Sequence, residues 1–576
     1  MVATTSSSPS SPAMPYDPQA IARYYRWRPW LLLWRTFQIL SSLGRFVWGL
    51  KWDQWTRQTE RNRFRRAIQL RRVLTGLGPT FIKIGQALST RPDLVRKEFL
   101  EELILLQDQL PPFPNKKALA LIERELGRPV SELYRSMSPQ PVAAASLGQV
   151  YRGELWDGDA IAIKVQRPKL VPKISLDLAV IRKAVVWFGP FLPLNLGHNL
   201  SVIVDEFGTK LFEEIDYLNE GRNAERFADN FAAYPDVKVP KIYWEYTSQR
   251  VLTLEWIEGT KLTASQCMVN GKRDPDALVR TGVVSSLRQL LEFGFFHADP
   301  HPGNLFAMPD GRMAYIDFGM MDQLDQVAKE TLVDSVVHLI NQDYRLLAQD
   351  FVKLGFLTPE TDIRPIVPAL ESVFSEIIDV SVKDFNFQTI TDQFSGLMYE
   401  YPFRLPAKFA LIIRSLVTQE GVALCLNPDF KIVEVAYPYV ARRLLAGETP
   451  EFQRRLLEVL FKDGKFQWQR LENLIEIART DDSFDLIPTA QFGLQYLFSG
   501  DGGFFLKQIV LALTEDERLH TEEVSRLWDL VKEDFQPQRL LGAAFGALAS
   551  FSEEAVANWP PVVAITTAQK ELQNVA

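Results

Sequence analysis

Residues 297–306, HADPHPGNLF, place two of the five histidines of the 576-residue chain beside an aspartate and an asparagine. This stretch admits three interpretations. His297, Asp299 and His301 could be the ligands of a metal site, or Asp299 could do the chemistry of a catalytic loop in which Asn304 holds a metal. The two prolines could also simply stiffen a turn. The rest of the chain has to decide among these readings.

Other parts of the chain supply the remaining features of a protein-kinase site, in kinase order. Lys164 ends the strand-like IAIK, and Glu220 follows on a predicted helix. LTLEWIEG then reads as a strand running into a glycine-containing link. Asp299 and Asn304 come next at the spacing D-x-x-x-x-N, and YIDFG places Asp317 at the end of a strand. Each feature is weak alone, but together they reproduce the order strand Lys, helix Glu, catalytic-loop Asp and Asn, then Asp-Phe-Gly.

The chemistry of nucleotide binding explains each residue type. Lys164 would bind the phosphates and pair with Glu220, which fixes the rotamer of the lysine. Asp317 and Asn304 offer the hard oxygen ligands that Mg²⁺ prefers, and Asp299 remains as the base or orienting group for an acceptor hydroxyl. ATP or ADP and Mg²⁺ are therefore the expected cofactors. A His/Asp/His metal site would not require the rest of this set, so the catalytic-loop interpretation is favoured.

Composition and charge give broader bounds. The length predicts several structural units, and 47% hydrophobic with 23% charged residues is ordinary for a globular protein. The cysteines, Cys267 and Cys425, stand far apart, which fits a reducing compartment. Residues 21–72 hold thirteen Arg and Lys against Asp53 and Glu60, so the net charge of this segment is +11. Because the net charge of the whole chain is −7, the other residues together carry −18. A basic end of this kind suggests an anionic surface as partner.

The N-terminal 60 residues predict a tail followed by a membrane-contact segment. Residues 1–20 are Ser/Pro-rich, and we interpret them as disordered; they lack the pattern of a secretory signal. Residues 21–60 are basic, aromatic and amphipathic, and Arg35 and Arg45 interrupt the apolar run, so no transmembrane helix is expected. Two readings stay open: a helix lying in a membrane interface, or a helix packed on the body with its tryptophans in the core.

The remaining pattern predicts an α+β, protein kinase-like two-lobe fold with an N-terminal helical extension and a helical C-terminal region. Two strands joined by the turn WDGD fall within 143–166, more strand signals follow in 237–259, and 305–319 reads as a hairpin. An amphipathic helix is predicted over 452–478, and the apolar helix over 400–424 is given a structural role. The predicted domains are the helical extension 61–135, the N-lobe 136–260, the C-lobe 261–440 and the helical region 441–576.

Over roughly residues 60–440 the chain resembles the UbiB/AarF atypical kinase-like family. KIGQ, with Lys83 and Gln86, is similar to the signature lysine–glycine–glutamine motif of that family. AAASLGQV (143–150) is similar to its alanine-rich loop, and EID, with Glu214 and Asp216, to its paired-acid motif. HADPHPGN and DFG complete the set.

The nucleotide loop departs from that of ordinary kinases. Ala143, Ala145, Gly148 and Val150 stand where G-x-G-x-x-G-x-V would be, and the alanine β-carbons disfavour positive φ and close approach to phosphate. The resemblance implies altered nucleotide preference and damped kinase activity. The complete set of predicted nucleotide-binding residues is Ala143, Ala144, Ala145, Ser146, Gly148, Val150, Lys164, Glu255 and Ile257.

The resemblance also gives the extension a regulatory part. Lys83 and Gln86 share one face of a predicted helix. By resemblance this extension folds over the site, so that both residues occupy part of the place where a protein substrate would dock. Glu214, Asp216 and Asp317 are all candidate partners of Lys83, and the sequence does not rank them.

These observations predict an atypical kinase or ATPase rather than a conventional protein kinase. By resemblance it supports prenyl-quinone or prenyl-lipid metabolism at a membrane. A conventional protein serine/threonine kinase and a nucleotide-sensing scaffold without turnover remain alternatives. The expected partners are an adenine nucleotide and a membrane surface or prenyl lipid, with no nucleic acid, and the expected location is intracellular and peripheral to a membrane. The acceptor, the lipid pathway, the oligomeric state and the role of residues 441–576 stay open.

Overall fold

A computed structural model of the chain describes most of its first 430 residues and a few positions beyond them. The described residues are 16–89, 95–107, 111–188, 200–262, 275–340, 342–379, 401, 403–427, 430, 435–436, 439–440, 461–462, 465–466, 468, 471 and 526. The chain divides into two compact units. The first comprises Met1–Lys329, Phe351–Asp362 and Asn386–Phe430, and the second comprises Glu330–Asp350, Ile363–Phe385 and Lys431–Ala576.

Helices open the first unit, as predicted. They are α1 (Pro18–Arg26), α2 (Pro29–Trp55), α3 (Thr59–Leu77), α4 (Pro79–Leu88) and α5 (Lys97–Ile104). The Asp17 carboxylate caps α1 by accepting hydrogen bonds from the backbone N–H groups of Gln19 and Ala20, and proline opens α1, α2 and α4. Helix begins at Pro18, so the last three residues of the predicted tail 1–20 are helical; residues 1–15 lie outside the described residues.

Helix α2 has two contrasting faces. Leu32, Ile39 and Phe46 are buried against the rest of the unit. Arg35 also points inward: its Nε lies 2.5 Å from Asp177 Oδ1, and its Nη2 donates to the Leu77 carbonyl at 2.7 Å. Because these polar contacts lie inside, the outward face of α2 is largely apolar, although Arg45 and Lys51 are also exposed on this helix. The helix thus packs on the body, but its tryptophans are not core residues.

The outward aromatic face runs along α1 and α2 and carries large exposed side chains. They are Trp27, Trp30, Leu33, Trp34, Phe37, Leu40, Val47, Trp48, Trp52 and Trp55. Trp27 and Trp55 are 79% and 78% exposed, respectively, and Trp30, Trp34 and Trp48 lie between 63% and 68%. Among the described helices, none combines the length and the apolar character needed to cross a bilayer. This face therefore presents aromatic rings to the surroundings from the side of a surface helix.

A five-stranded antiparallel sheet follows two short helices, α6 (Asn115–Leu126) and α7 (Val130–Leu133). Its strands are β1 (Ser136–Met137), β2 (Ala143–Ala144), β3 (Gly148–Glu154), β4 (Ala160–Gln166) and β6 (Val251–Glu255). β1 and β2 pair with opposite ends of one edge of β3, and β4 lies between β3 and β6. The predicted turn between β3 and β4 is confirmed, since Gly158 takes φ +95° there.

Three helices stand between β4 and the next strands, as the sequence predicts. They are α8 (Leu170–Phe188), α9 (Leu200–Glu214) and α10 (Tyr217–Asn230). The Asp216 carboxylate begins α10 by accepting a hydrogen bond from Leu218 N–H at 3.1 Å. This cap fixes the first turn of α10, which carries Glu220.

Small sheets and helices complete the first unit. The strands are β5 (Val237–Lys238), β7 (Thr260–Lys261), β8 (Phe295–His297), β9 (Leu305–Ala307), β10 (Met313–Tyr315) and β11 (Met321–Gln323). β9 and β10 form the predicted hairpin, and β8 pairs with β11. Phe227 of α10 packs against Phe318 and Tyr315 at 5.3 and 5.1 Å between ring centroids. This packing fixes the Asp-Phe-Gly segment relative to α10.

Five more helices are described after β7. They are α11 (Pro275–Arg288), α12 (Gln326–Ile340), α13 (Tyr344–Lys353), α14 (Ile366–Asp379) and α15 (Ala407–Leu426). α11 and α15 belong to the first unit, and the other three lie mostly in the second. Within the second unit, His338 Nδ1 lies 2.6 Å from Asp350 Oδ2, a partly buried contact between α12 and α13.

The second unit also contains one departure from the predicted helices. β12 (Phe461–Lys462) and β13 (Lys465–Phe466) form a short hairpin that interrupts the helix expected over 452–478. The sequence between them is Asp-Gly, a pair that favours two-residue hairpin turns. Most of the region 441–576, and Cys267, lie outside the described residues. The predicted domain boundaries stay predictions.

Candidate active site

Lys164, Glu220 and Asp317 meet in one ion-pair cluster. Lys164 lies in β4 opposite Val150 of β3 and Leu252 of β6. Its Nζ lies 2.7 and 2.9 Å from the two carboxylate oxygens of Glu220 and 3.2 Å from Asp317 Oδ2. Two carboxylates from distant parts of the chain, those of Glu220 and Asp317, thus contact the amino group of Lys164.

The electrostatics of the cluster fix the charge of its lysine and of Asp317. Burial alone would lower the pKa of Lys164, but the charges of Asp317 and Glu220 raise it well above its usual value. Burial works to raise the pKa of Asp317, while Lys164 and the Gly319 backbone N–H lower it to about 2. A protonated lysine therefore stands beside an ionised aspartate at neutral pH.

Both histidines of the opening stretch shape the loop. The Asp299 backbone N–H donates to His297 Nδ1 at 3.1 Å, so Nε2 carries the proton and donates to the Asp317 carbonyl at 2.6 Å. Burial lowers the pKa of His297, which keeps the ring neutral in this role. His301 Nδ1 accepts from Gly303 N–H.

In the part of the chain that the structure describes, no group of three or more His, Cys, Asp or Glu side chains is arranged to hold a metal. The His/Asp/His interpretation has no support.

Asn304 and Asp317 fit a magnesium ion bound together with phosphates. The Ile316 backbone N–H donates to the Asn304 carbonyl at 3.2 Å, which ties the loop to the strand before Asp317. The Asn304 amide nitrogen lies 3.4 Å from the Asp299 carbonyl, and among the described residues nothing donates to its side-chain oxygen. One carboxylate and one amide oxygen suit Mg²⁺, which commonly takes its remaining ligands from phosphate and water.

The alanine-rich loop is a tight hairpin. Ala143 and Ala144 of β2 pair with Val150 and Gln149 of β3, and Ala145 N–H donates to the Gly148 carbonyl at 2.8 Å. Arg167 fixes the loop from outside, because its Nε donates to the Ala145 carbonyl at 3.0 Å. At the tip, Ser146 is half-buried and Leu147 is buried among side chains of α8 and α9. These contacts with Arg167, α8 and α9 hold the alanine-rich loop in place.

Glycine is needed at position 148 because neighbouring atoms leave no room for a β-carbon, and not because the residue has a positive φ. A β-carbon there would lie 2.4 Å from the Tyr217 hydroxyl oxygen and 2.7 Å from the Val165 carbonyl oxygen. We expect Gly148→Ala to lower the free energy of unfolding by about 1–3 kcal/mol, as overpacking does, and to weaken binding of Mg-ADP. Urea unfolding and equilibrium nucleotide titration measure the two effects.

Gly76→Ala in α3 is the matched control, since a β-carbon there meets nothing within 4 Å. That variant should match or exceed the wild type in stability, because alanine favours helix. If both variants bound Mg-ADP equally well, the close approach at Gly148 would not matter for the nucleotide loop.

Glu255 and Ile257 lie where β6 leaves the sheet. The Glu255 carboxylate is engaged by Lys238 at 2.7 Å and by the Lys241 backbone N–H at 3.0 Å. Ile257 is buried. The side chain of Glu255 therefore anchors the end of the strand, and any contact with an adenine base would come from the backbone of this link.

Of the three candidate partners of Lys83, Glu214 is the one that it contacts in the structure. Its Nζ on α4 pairs with the Glu214 carboxylate at the end of α9, and both side chains are largely buried. Burial raises the pKa of Glu214, against the opposing effect of Lys83. A β-carbon on Gly319 would lie 3.3 Å from Asp317 Oδ1 and 3.5 Å from Glu214 Cγ, so this pair stands beside the Asp-Phe-Gly segment.

Gln86 and Asp216, the other predicted regulatory residues, have local roles in the structure. The Gln86 amide donates to the Leu106 carbonyl at 3.1 Å, within the extension itself. Asp216 caps α10. The four predicted residues therefore do not form one group: Lys83 and Glu214 meet, whereas the side-chain hydrogen bonds found for Gln86 and Asp216 are to backbone nearby.

Two residues that the sequence analysis did not select also lie at the site. Arg414 of α15 donates to Asp299 Oδ1 at 2.6 Å. The Tyr217 hydroxyl is buried beneath Gly148, where it has no hydrogen-bond partner among the described residues, and Lys164 Nζ lies 5.3 Å from its ring centroid. A single arginine inside the apolar run LIIRSLV was a usable signal for Arg414, because a buried charge needs a partner. The helix over 400–424 thus contributes one side chain to the loop that carries Asp299.

Comparison with known proteins agrees with this geometry. A family model described as the ABC1 atypical kinase-like domain matches residues 105–351, and one described as the UbiB helical domain matches residues 370–431. An uncharacterized protein of Synechocystis sp. is 65% identical, covering 93% of this chain and 95% of its own. Protein ACTIVITY OF BC1 COMPLEX KINASE 1, chloroplastic, of Arabidopsis thaliana is 44% identical, covering 92% of this chain and 80% of its own. The chain therefore belongs to the ABC1/UbiB family of atypical kinase-like proteins, and its fold is kinase-like.

Proposed function

We propose that the chain is an atypical kinase or ATPase that binds a magnesium–adenine nucleotide and supports prenyl-quinone or prenyl-lipid metabolism at a membrane surface. The observation that carries the nucleotide chemistry is the convergence of Lys164 on Glu220 and Asp317, with Asp299 and Asn304 on the adjoining loop. Names of relatives that contain the word kinase support the same class.

The proposed reaction assigns one task to each side chain. Lys164 binds phosphate oxygens, and Glu220 holds its rotamer. Asp317 and Asn304 would hold Mg²⁺, which neutralises charge on the phosphates when bound. The bond between the γ-phosphorus of ATP and its β,γ-bridging oxygen breaks, that oxygen leaves as part of ADP, and a new bond forms from the γ-phosphorus to the oxygen of water or of an acceptor hydroxyl. The proton of that hydroxyl passes to Asp299.

Two features favour a small or lipid-like acceptor over a protein substrate. The Lys83–Glu214 pair brings the N-terminal extension next to the Asp-Phe-Gly segment, where a docked polypeptide would need room. The alanine-rich loop is latched by Arg167 and Leu147, so it has little freedom to close over a γ-phosphate. Both features support slow turnover and disfavour a conventional protein kinase.

The outward aromatic face of α1 and α2 supports peripheral membrane attachment. Exposed tryptophans on a surface helix suit the interface between lipid headgroups and acyl chains. Exposed basic residues lie on the same helices or just after α2, at Arg23, Arg26, Arg45, Lys51 and Arg57, which suits anionic lipid. The resemblance to the UbiB/AarF family supports prenyl-quinone or prenyl-lipid metabolism as the setting.

The test is Mg²⁺-dependent ADP release by the purified protein, with and without phospholipid vesicles. Turnover that rises on vesicles supports a membrane-responsive ATPase or small-molecule kinase. Efficient phosphorylation of a peptide library would favour the conventional protein kinase instead. Nucleotide binding without any turnover would favour the sensing scaffold.

A further inference from the structure

Arg414 reaches the loop from a distant part of the chain. It lies on α15, separated by 115 residues from Asp299, and its Nη2 donates to Asp299 Oδ1 at 2.6 Å. The side chains of Arg414 and Asp299 are only 10% and 19% exposed. Around Arg414 the helix is apolar: Ile412 is 6% exposed and packs in the core. A buried charge in apolar surroundings needs a partner of opposite charge. The partner of Arg414 is Asp299, the proposed base.

The contact engages only one side of the Asp299 carboxylate. Among the described residues, Arg414 makes its hydrogen bond to Oδ1, and no donor reaches Oδ2. One oxygen is therefore fixed by the protein, and the other is left to accept a hydrogen bond from outside.

We propose that Arg414 is a positioning residue for Asp299: it fixes Oδ1 so that Oδ2 faces the acceptor hydroxyl or water. This role rests on the proposed function. If the Arg414–Asp299 pair had only a structural role, it would add little stability, because well-packed apolar side chains often replace a buried ion pair without loss of stability. An apolar residue at position 414 would continue the run LIIRSLV, so the arginine is better explained by the group that it contacts.

The experiment compares Arg414→Ala, Arg414→Lys and the wild type by steady-state ADP release, equilibrium binding of Mg-ADP and thermal unfolding. Misplacement of a reacting group by about 1 Å lowers rates by about a hundredfold, so we expect a fall of that order in kcat for Arg414→Ala. Mg-ADP affinity should stay at the wild-type value, and Arg414→Lys should recover part of kcat. In an Asp299→Asn background, Arg414→Ala should have no further effect on kcat.

Lys408→Ala is the matched control, since Lys408 lies on the same helix and pairs only loosely with Asp325, at 3.8 Å. It should leave kcat unchanged. If Arg414→Ala does not fold, Arg414→Gln replaces it, because glutamine keeps an N–H donor without the charge.

Three results would overturn this role: an unchanged kcat, a raised kcat, which would mean that Arg414 blocks the acceptor position, or equal losses for the alanine and lysine variants together with lower thermal stability. Absence of turnover in the wild type would instead overturn the proposed function and the positioning role with it. Turnover in the wild type that Arg414→Ala does not alter would overturn the positioning role alone.

Discussion

Replacement of Asp299 by asparagine should lower Mg²⁺-dependent ADP release by about 10²- to 10⁴-fold, the usual contribution of a general base. The substitution keeps the size of the side chain and removes its ability to take a proton. The Asp299 backbone contacts to His297 and Asn304 do not depend on the carboxylate, so the loop should keep its shape. Binding of Mg-ADP, which depends on Lys164, Asp317 and Asn304, should therefore stay at the wild-type value.

The measurement is single-turnover and steady-state ADP release, with nucleotide affinity determined separately. Asp310→Asn is the matched control: Asp310 lies in the turn between β9 and β10, is 49% exposed and pairs with Arg312. It should show wild-type turnover. If Asp299→Asn kept full activity, or lost nucleotide affinity to the same extent as activity, then Asp299 would not act as the base.

The kinase-like parts of this chain could be predicted from sequence because each part carries a local pattern. The two strands around WDGD and the hairpin over 305–319 rest on short-range patterns. The motifs that hold Lys164, Glu220, Asp299, Asn304 and Asp317 are each local, and they follow one another in kinase order over 153 residues. Those features appear in the structure, and the predicted Lys164–Glu220 pair is present. The family assignment is confirmed by the comparisons.

Contacts between distant segments could not be predicted in the same way. Lys83 had three candidate partners because spacing does not say which carboxylate a helix will meet, and Glu214 proved to be the one. Arg414 was missed because its partner lies 115 residues away and belongs to another motif. Gln86 was carried over from the resemblance, yet its amide is used inside the extension.

Arg35 shows how a charge in an apolar run can mislead. In the sequence it interrupts the apolar run of the predicted membrane-contact segment. In the structure it turns inward to Asp177 and the Leu77 carbonyl, at 5% exposure, and its guanidinium carbon lies 5.8 Å from the centroid of the Phe81 ring in a cation–π contact. The buried ion pair thus anchors α2 to α8 and leaves the outward face more apolar than the sequence suggests. Orientation of this face depends on that long-range pair.

That orientation leads to the second large effect, loss of vesicle binding when the outward tryptophans are removed. Trp30, Trp34 and Trp48 are each more than 60% exposed, so their replacement by alanine removes little packing within the protein. Insertion of half of a tryptophan side chain buries about 100 Å², which contributes about 2.5 kcal/mol at roughly 25 cal/mol per Å². We expect the triple variant Trp30→Ala/Trp34→Ala/Trp48→Ala to bind vesicles at least about a hundredfold more weakly.

Flotation or sedimentation with phosphatidylcholine vesicles, with and without an anionic phospholipid, measures the effect. Trp156→Ala is the control, because Trp156 is 62% exposed but lies at the turn between β3 and β4, away from α1 and α2 in the chain. It should bind as the wild type does. The basic residues beside the aromatic face predict tighter binding to anionic vesicles, weakened by salt, in the wild type and the control.

The triple variant also separates attachment from chemistry. None of its three tryptophans contacts the Lys164 cluster, so ADP release without vesicles should equal that of the wild type, while any stimulation by vesicles should be lost. Binding that survived the triple substitution would mean that the aromatic face does not enter the lipid and must meet another partner. Loss of basal ADP release would mean that α2 supports the active site from a distance, through its buried contacts with α8, rather than by holding the protein at a membrane.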